Sequence, residues 1–174
     1  LLPHLESEFG GLRKSRKGQT VTEIFKQLFC FFLDGTSRHL IHFDALKHDE
    51  GYAAGIETEP EQMLSSHAVK RFFKAIYWPT MQVFRAVLLQ LFLWRLQLVK
   101  PVLIMLGLDT MVMDNDDALK RHGVKPTYKN RKGFQPLQLN WGGFIIDALF
   151  RAGDTHSNHG QDVEKMLRRI VAAI

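Results

Sequence analysis

Apolar residues recur at helical spacing through the first hundred positions and give way to strand-like runs after Pro101. The run QTVTEIFKQLFCFFLDG predicts a helix, with Thr20 or Thr22 as its cap and Asp34-Gly35 as its stop. Leu40, Phe43 and Leu46 predict a second helix over 37–47 with Ser37 as cap, and EGYAAGIETEP reads as the loop after it. After Pro60, the residues Met63, Leu64, Val69, Phe72, Phe73 and Ile76 share a broad helical face that Ser65-Ser66 can break. From Pro101 to about residue 151 the strand-like segments are VLIMLGLDTMVM, GFQPLQLNW and GFIIDALF, with Asn140-Trp141-Gly142-Gly143 as the turn between the last two. GQDVEKMLRRIVAAI returns to helical spacing through Val163, Met166, Leu167, Ile170 and Val171.

A break at Ser65-Ser66 gives two short helices, the second opening at Ser66. That pair has the form of a helix-turn-helix whose second helix carries Lys70, Arg71 and Lys74 outward. Three bases on one helix also describe an ordinary solvated face. The apolar stretch Met81–Val99 approaches the roughly 20 residues of a membrane span. It is interrupted by Gln82, Arg85, Gln90, Arg95 and Gln97. At about 100° per residue, all of these except Arg95 fall, with Lys100, within roughly 140°. The pattern predicts an amphipathic buried helix and no membrane partner.

Composition narrows the class. The chain has 174 residues, enough for one ordinary domain or a small one plus part of another, and is 45% hydrophobic. Its net charge of +5 and pI near 9.4 favour polyanionic partners. The single cysteine, Cys30, rules out a disulfide framework within the chain, fits a cytoplasmic setting, and reads as a small packed hydrophobe. Residues 1–19 hold no secretory signal pattern and predict a flexible basic lead-in around RKSRKG. With no initiating Met, the chain is expected to begin inside a longer reading frame.

Candidate chemistry lies in three stretches. LGLDTMVMDNDD sets Asp109 at the end of an apolar strand that Leu103, Met105 and Leu108 are expected to anchor, followed by Asp114, Asp116 and Asp117 in a turn-like run. A carboxylate fixed at a strand end suits a hard cation such as Mg²⁺ or Mn²⁺, although Asp109 can equally cap a turn. Between residues 118 and 146 there are six bases, Lys120, Arg121, Lys125, Lys129, Arg131 and Lys132, and no acid, with Tyr128 and Phe134 interleaved. An acidic metal site beside such a loop is the pairing that phosphodiester chemistry needs, whereas a basic hairpin alone merely keeps a protein soluble. RAGDTHSNHG (151–160) offers Asp154, His156 and His159, but their spacing matches no zinc pattern. The stretch reads instead as a loop entering a helix, with Ser157 and Asn158 as caps or phosphate contacts.

In this order, the stretches LGLDTMV, Tyr128-Lys129-Asn130, KGFQPLQ (132–138) and RAGDTHSNHG resemble the DDE transposases of bacterial insertion sequences over about 55 residues. They are similar to that family's first catalytic strand, its tyrosine-bearing KGY-or-F-x-PL segment and its THS loop. The resemblance implies an α+β chain. A helical, DNA-binding bundle (20–100) would precede an incomplete RNase H-like domain (101–174) of three antiparallel strands and one helix. It places Asp109 as the first of three catalytic, metal-holding acids, beside Thr110, with Lys132, Gly133, Phe134 and Pro136 on the second strand's motif. Lys70, Arg71, Lys74, Lys129, Arg131 and Lys132 are the expected DNA contacts.

Family members use two divalent metals (Mg²⁺ or Mn²⁺) to cut DNA at element ends and join the freed 3′-hydroxyl to target DNA. The implied partners are therefore DNA and a transposase oligomer, in the cytoplasm at the nucleoid. The family's second and third acids lie beyond the final helix, and Asp162 and Glu164 do not replace them by motif. The chain is thus expected to be the N-terminal portion of a transposase (a remnant, split frame or frameshift product), inactive alone and weak in metal. The alternative is a non-catalytic DNA-binding fragment that regulates full-length transposase.

Overall fold

Helix α1, Leu2–Phe9, turns Leu5 and Phe9 to one side, and both are buried. They meet α2, Val21–Asp34, where the Phe9 and Phe25 rings lie 5.4 Å apart. Glu6 Oε2 accepts from the Thr22 backbone N–H (2.6 Å) and from the Thr22 hydroxyl (2.9 Å). The expectation of a flexible lead-in over 1–19 is corrected for residues 2–9, because the four-residue spacing of Leu5 and Phe9 supplies an apolar stripe that α2 buries. The computed structural model describes residues 1–12, 18–35, 37, 39–116, 121–156 and 159–174, so the basic run 13–17 lies outside the described residues.

The sequence places the ends of α2 correctly. Thr20 caps it by accepting from Glu23 N (3.1 Å), and Gly35 closes it at φ +70°. Buried Gln27 donates to Gln62 O (3.1 Å) and accepts from Leu64 N (2.9 Å), which holds the 62–64 segment against the helix. A 3₁₀ turn, Leu40–His42, leads into α3, Phe43–Leu46, whose Phe43 ring sits 4.5 Å from Phe31. The stretch read as a loop contains α4, Glu50–Gly55, capped by Asp49 accepting from Tyr52 N (2.8 Å).

Helix α5, Ser66–Ala75, starts at the expected break, with Ser65 as its cap. What precedes it is a 3₁₀ turn, Pro60–Gln62, and an extended link rather than a first helix, so the helix-turn-helix expectation holds only for its second member. Asp44 fixes that member by accepting from Ser66 N (2.8 Å) and Ser66 Oγ (2.7 Å).

The chain divides into two compact units, Leu1–Met81 and Gln82–Ile174, rather than at Pro101. The reason is α6, Trp78–Val99. Its Phe92, with Leu89, Leu93 and Leu96, packs into the core of the second unit. By length and composition α6 could cross a membrane (mean hydropathy 1.2). The expected buried, amphipathic character is corrected: only Thr80, Val87 and Phe92 are buried, and Leu91, Trp94, Leu98 and Val99 are exposed. The polar arc does not simply face water, since Arg85 reaches the buried Asp147; Arg95, outside that arc, lies 3.5 Å above the Phe144 ring.

Two antiparallel three-stranded sheets follow. The first joins β1 (Gly107–Thr110), β5 (Leu137–Trp141) and β6 (Phe144–Leu149) in the order β1-β5-β6. The β5–β6 turn is Gly142-Gly143 at φ +55° and +83°, the left-handed pair that a two-residue hairpin requires. The second, unanticipated sheet joins β2 (Met113–Asp114), β3 (Lys125–Pro126) and β4 (Lys132–Phe134) in the order β2-β4-β3.

Helix α7, Asp162–Val171, lays Met166 and Ile170 on Leu137, Leu139, Trp141 and Ile146. Burying each of these large side chains contributes about 1.5–3 kcal/mol. The strand expected over 102–113 is regular only at 107–110 and 113–114. Leu103 and Met105 are exposed, and Leu108 sits at 36% exposure, so the anchors are the partly buried Ile104 and Leu106.

Candidate functional site

Asp109 lies on β1, opposite Gln138 of β5. Residues paired this way share a face of the sheet, and the buried Leu137, Leu139 and Trp141 occupy the other face with α7. Asp109 therefore projects from the face that α6 and α7 leave open, and it is exposed. Its Oδ1 accepts from Thr110 N at 2.7 Å. Among the described residues no group of three His, Cys, Asp or Glu side chains converges. One exposed carboxylate does not by itself fit a two-metal centre, which needs acids bridging cations about 4 Å apart.

The acidic turn after β1 is occupied. Pairing of β2 with β4 brings Asp116 against the basic hairpin, where it accepts from Lys132 N (3.0 Å) and Arg131 Nη1 (3.2 Å). The hydrogen bond from the Lys132 backbone, and then Arg131, hold the Asp116 carboxyl below the usual carboxylate range. Asp114 Oδ1 accepts from Asp116 N (2.9 Å), while Asp117 and Lys120 lie outside the described residues. Of the expected DNA contacts on this hairpin, Lys129 and Lys132 are exposed, and Arg131 is exposed but ion-paired.

The hairpin tip is set by the sequence TYKNR. Thr127 N donates to Arg131 O (2.8 Å), Asn130 N donates to Thr127 O (3.0 Å), and Asn130 takes the left-handed φ of +56° that asparagine tolerates. Tyr128 is left 63% exposed at that tip, with Lys129 Nζ 5.8 Å from its ring centre. Phe134, by contrast, packs against Phe150 with ring centres 4.7 Å apart and planes tilted by 46°, a structural contact. The glycines of the two flanking motifs are steric requirements. A Cβ on Gly133 would run into Met113 O, and one on Gly153 into Lys125 O and Gly133 O.

The 151–156 segment folds back on the hairpin. Arg151, with a side chain 4% exposed, donates from Nε to Gln135 O (3.2 Å) and from Nη1 to His156 O (3.2 Å), and lies 3.7 Å from Asp162. Its Nη2 is buried and has no partner among the described residues. Ser157 and Asn158, expected as caps or phosphate contacts, lie outside the described residues, and among the described residues no side chain caps α7. Asp162 and Glu164 are engaged with Arg151 and Arg168.

These elements enclose an open cleft of about 630 Å³ lined by Thr110, Pro126, Thr127, Tyr128, Gln135, Gly153, Asp154 and His156. All of the separate sequence motifs contribute to it, although Asp109 itself is not in its lining. Sequence reasoning missed Thr127 and Gln135, both buried, because nothing in their spacing marks them.

In the first unit, Lys70, Arg71 and Lys74 are exposed on α5, opposite its buried Val69 and Phe72. The Phe72 ring meets Phe25 edge-on at 5.4 Å, which fixes the basic face outward.

Comparison with protein-family models, with curated proteins and with solved structures gives no match.

Proposed function

We propose that this chain is the DNA-binding portion and the opening of the RNase H-like catalytic domain of a DDE transposase, in which Asp109 is the first metal-holding acid. What supports the reading is that each motif contributes to one cleft, through Thr110, Thr127 and Tyr128, Gln135, and Asp154 with His156, although up to about 45 residues separate them in sequence. The antiparallel order β1-β5-β6 followed by α7 is compatible with the opening of that fold, and Asp109 stands on the sheet face left open.

In a completed enzyme Asp109 would be one of three acids holding Mg²⁺ or Mn²⁺, and the metal would supply the Lewis-acid chemistry of phosphodiester cleavage. Within this chain Lys129, Lys132 and the partly neutralised Arg131 hold the DNA backbone, and Lys70, Arg71 and Lys74 hold a second stretch. The proposed setting is cytoplasmic, at the nucleoid, in a transposase oligomer. The alternative, a DNA-binding fragment that regulates a full-length transposase, shares these contacts and lacks the chemistry.

The test is binding of a short duplex followed by fluorescence anisotropy against salt. Affinity should fall linearly in log–log form, by about 0.9 per phosphate contact. Reversal of Lys129, Arg131 and Lys132 to Glu should weaken binding and flatten that slope. Salt-independent affinity would exclude the reading.

A further inference from the structure

We propose that the cleft between the TYKN hairpin tip and the GDTH segment is a site for a single unpaired nucleobase of the bound DNA, stacked on Tyr128. The inference rests on the nucleic-acid reading above and assigns a role to a cavity that reading does not use.

The lining separates a base from the other ligands a basic surface attracts. The cleft volume, about 630 Å³, lies within the roughly 300–1,000 Å³ typical of pockets that take small planar groups. Its lining carries the buried Gln135 and Thr127 and the exposed Asp154 and His156. A carboxylate there repels a phosphate but accepts from the exocyclic amino and ring N–H groups of a base edge. Gln135 supplies an amide with both donor and acceptor, held in place by a buried backbone whose carbonyl accepts from Arg151. The Thr127 hydroxyl donates to Arg131 O at 2.8 Å and so presents only its acceptor side.

Tyr128 offers the platform. It is the phenol ring of the lining, and 63% of the residue is exposed. Aromatic faces accept any base with little sequence preference. The cations are placed for the phosphate outside the cleft rather than within it: Lys129 is exposed beside the Tyr128 ring, and Lys125 and Lys132 are exposed on the adjoining strands. The arrangement of a carboxylate and an amide in the lining, an aromatic wall, and bases outside the lining suits a nucleotide whose base has left the duplex, because a paired base keeps both its edge and its faces engaged.

The experiment compares a blunt duplex with the same duplex bearing a short single-stranded overhang that contains 2-aminopurine. Affinity is read by anisotropy and stacking by quenching of the 2-aminopurine emission. The full 174-residue chain is used with Tyr128→Ala and Tyr128→Phe, neither of which removes a core side chain. The wild-type protein should bind the overhang more tightly than the blunt end and quench the probe. Tyr128→Ala should lose roughly ten- to hundredfold on the overhang alone, and Tyr128→Phe should retain the binding. Equal affinity for both DNAs, or an equal loss on both in Tyr128→Ala, overturns the base site while leaving DNA binding intact. Failure to bind either DNA overturns the nucleic-acid reading and the base site with it.

Discussion

Asp147 is fully buried, yet it carries a charge that two helices share. Arg85 of α6 meets it in a fork, Nε to Oδ1 and Nη2 to Oδ2, both at 2.7 Å. Arg169 of α7 adds a bond to Oδ2 at 3.2 Å, and Ala148 N donates to Oδ1 at 2.9 Å. Replacing Asp147 with Ala leaves two guanidinium groups facing each other without their counter-charge. Breaking a buried ion pair in this way costs about 3–5 kcal/mol.

The Arg85 and Arg169 side chains keep 18% and 29% of their exposure, so water reaches them and the lower end, about 3 kcal/mol, applies. With a urea dependence of about 1–3 kcal/mol per molar, the midpoint of the 82–174 transition should fall by roughly 1–3 M, followed by far-UV circular dichroism. The double change Asp147→Leu with Arg85→Met removes the fork together with its desolvation cost but leaves Arg169 without its carboxylate, so it should recover part of the loss. A loss below about 1 kcal/mol in Asp147→Ala, or no recovery in the double variant, would refute the clasp.

Gly133→Ala and Gly153→Ala should each destabilise the second unit by about 1–3 kcal/mol or more, because the new methyl meets backbone oxygen. Gly142→Ala meets nothing within 4 Å and should cost only the left-handed strain, about 1–2 kcal/mol, so thermal melts should rank it mildest. The Asp116 carboxyl titrates lower in the folded hairpin than in the unfolded chain, so its contribution is complete above the ordinary value near ~3.9 and is lost as pH falls through the lowered one. Asp116→Asn should remove that acid-side dependence, read as exchange protection of the Lys132 amide against pH, and an unchanged profile would contradict it. Reversing Lys70, Arg71 and Lys74 to Glu should reduce the salt slope of duplex binding by about 0.9 for each phosphate that α5 no longer neutralises, and an unaltered slope would remove α5 from the interface.

What was legible in the sequence follows the physics that local residues control. Thr20, Gly35 and Ser65 mark helix ends because capping needs only neighbours, and Gly142-Gly143 marks a hairpin because its dihedrals need glycine. The helix capped by Asp49 escapes sequence reading although its cap is visible, since six residues with two glycines carry too little apolar spacing to announce a helix. The second sheet is hidden for a related reason: β2 and β3 have two residues each, below any periodicity. The polar residues of α6 suggest a solvent face, but Arg85 belongs to a partner 62 positions away, and no local pattern contains that pairing. The cleft is the same case, since Thr127 and Gln135 become lining residues only when the hairpin and the 151–156 segment close on each other.

The assignment of Asp109 as the first metal-holding acid of a DNA-cutting centre is tested most directly by nicking of a DNA end in Mg²⁺ or Mn²⁺. Three proteins are compared: residues 1–174, the same chain completed in cis or in trans by residues supplying two further acids, and the completed protein carrying Asp109→Asn. The expected result is no cleavage by residues 1–174, cleavage on completion, and loss of that cleavage in Asp109→Asn. Cleavage by residues 1–174 alone, or by the completed Asp109→Asn protein, would contradict it.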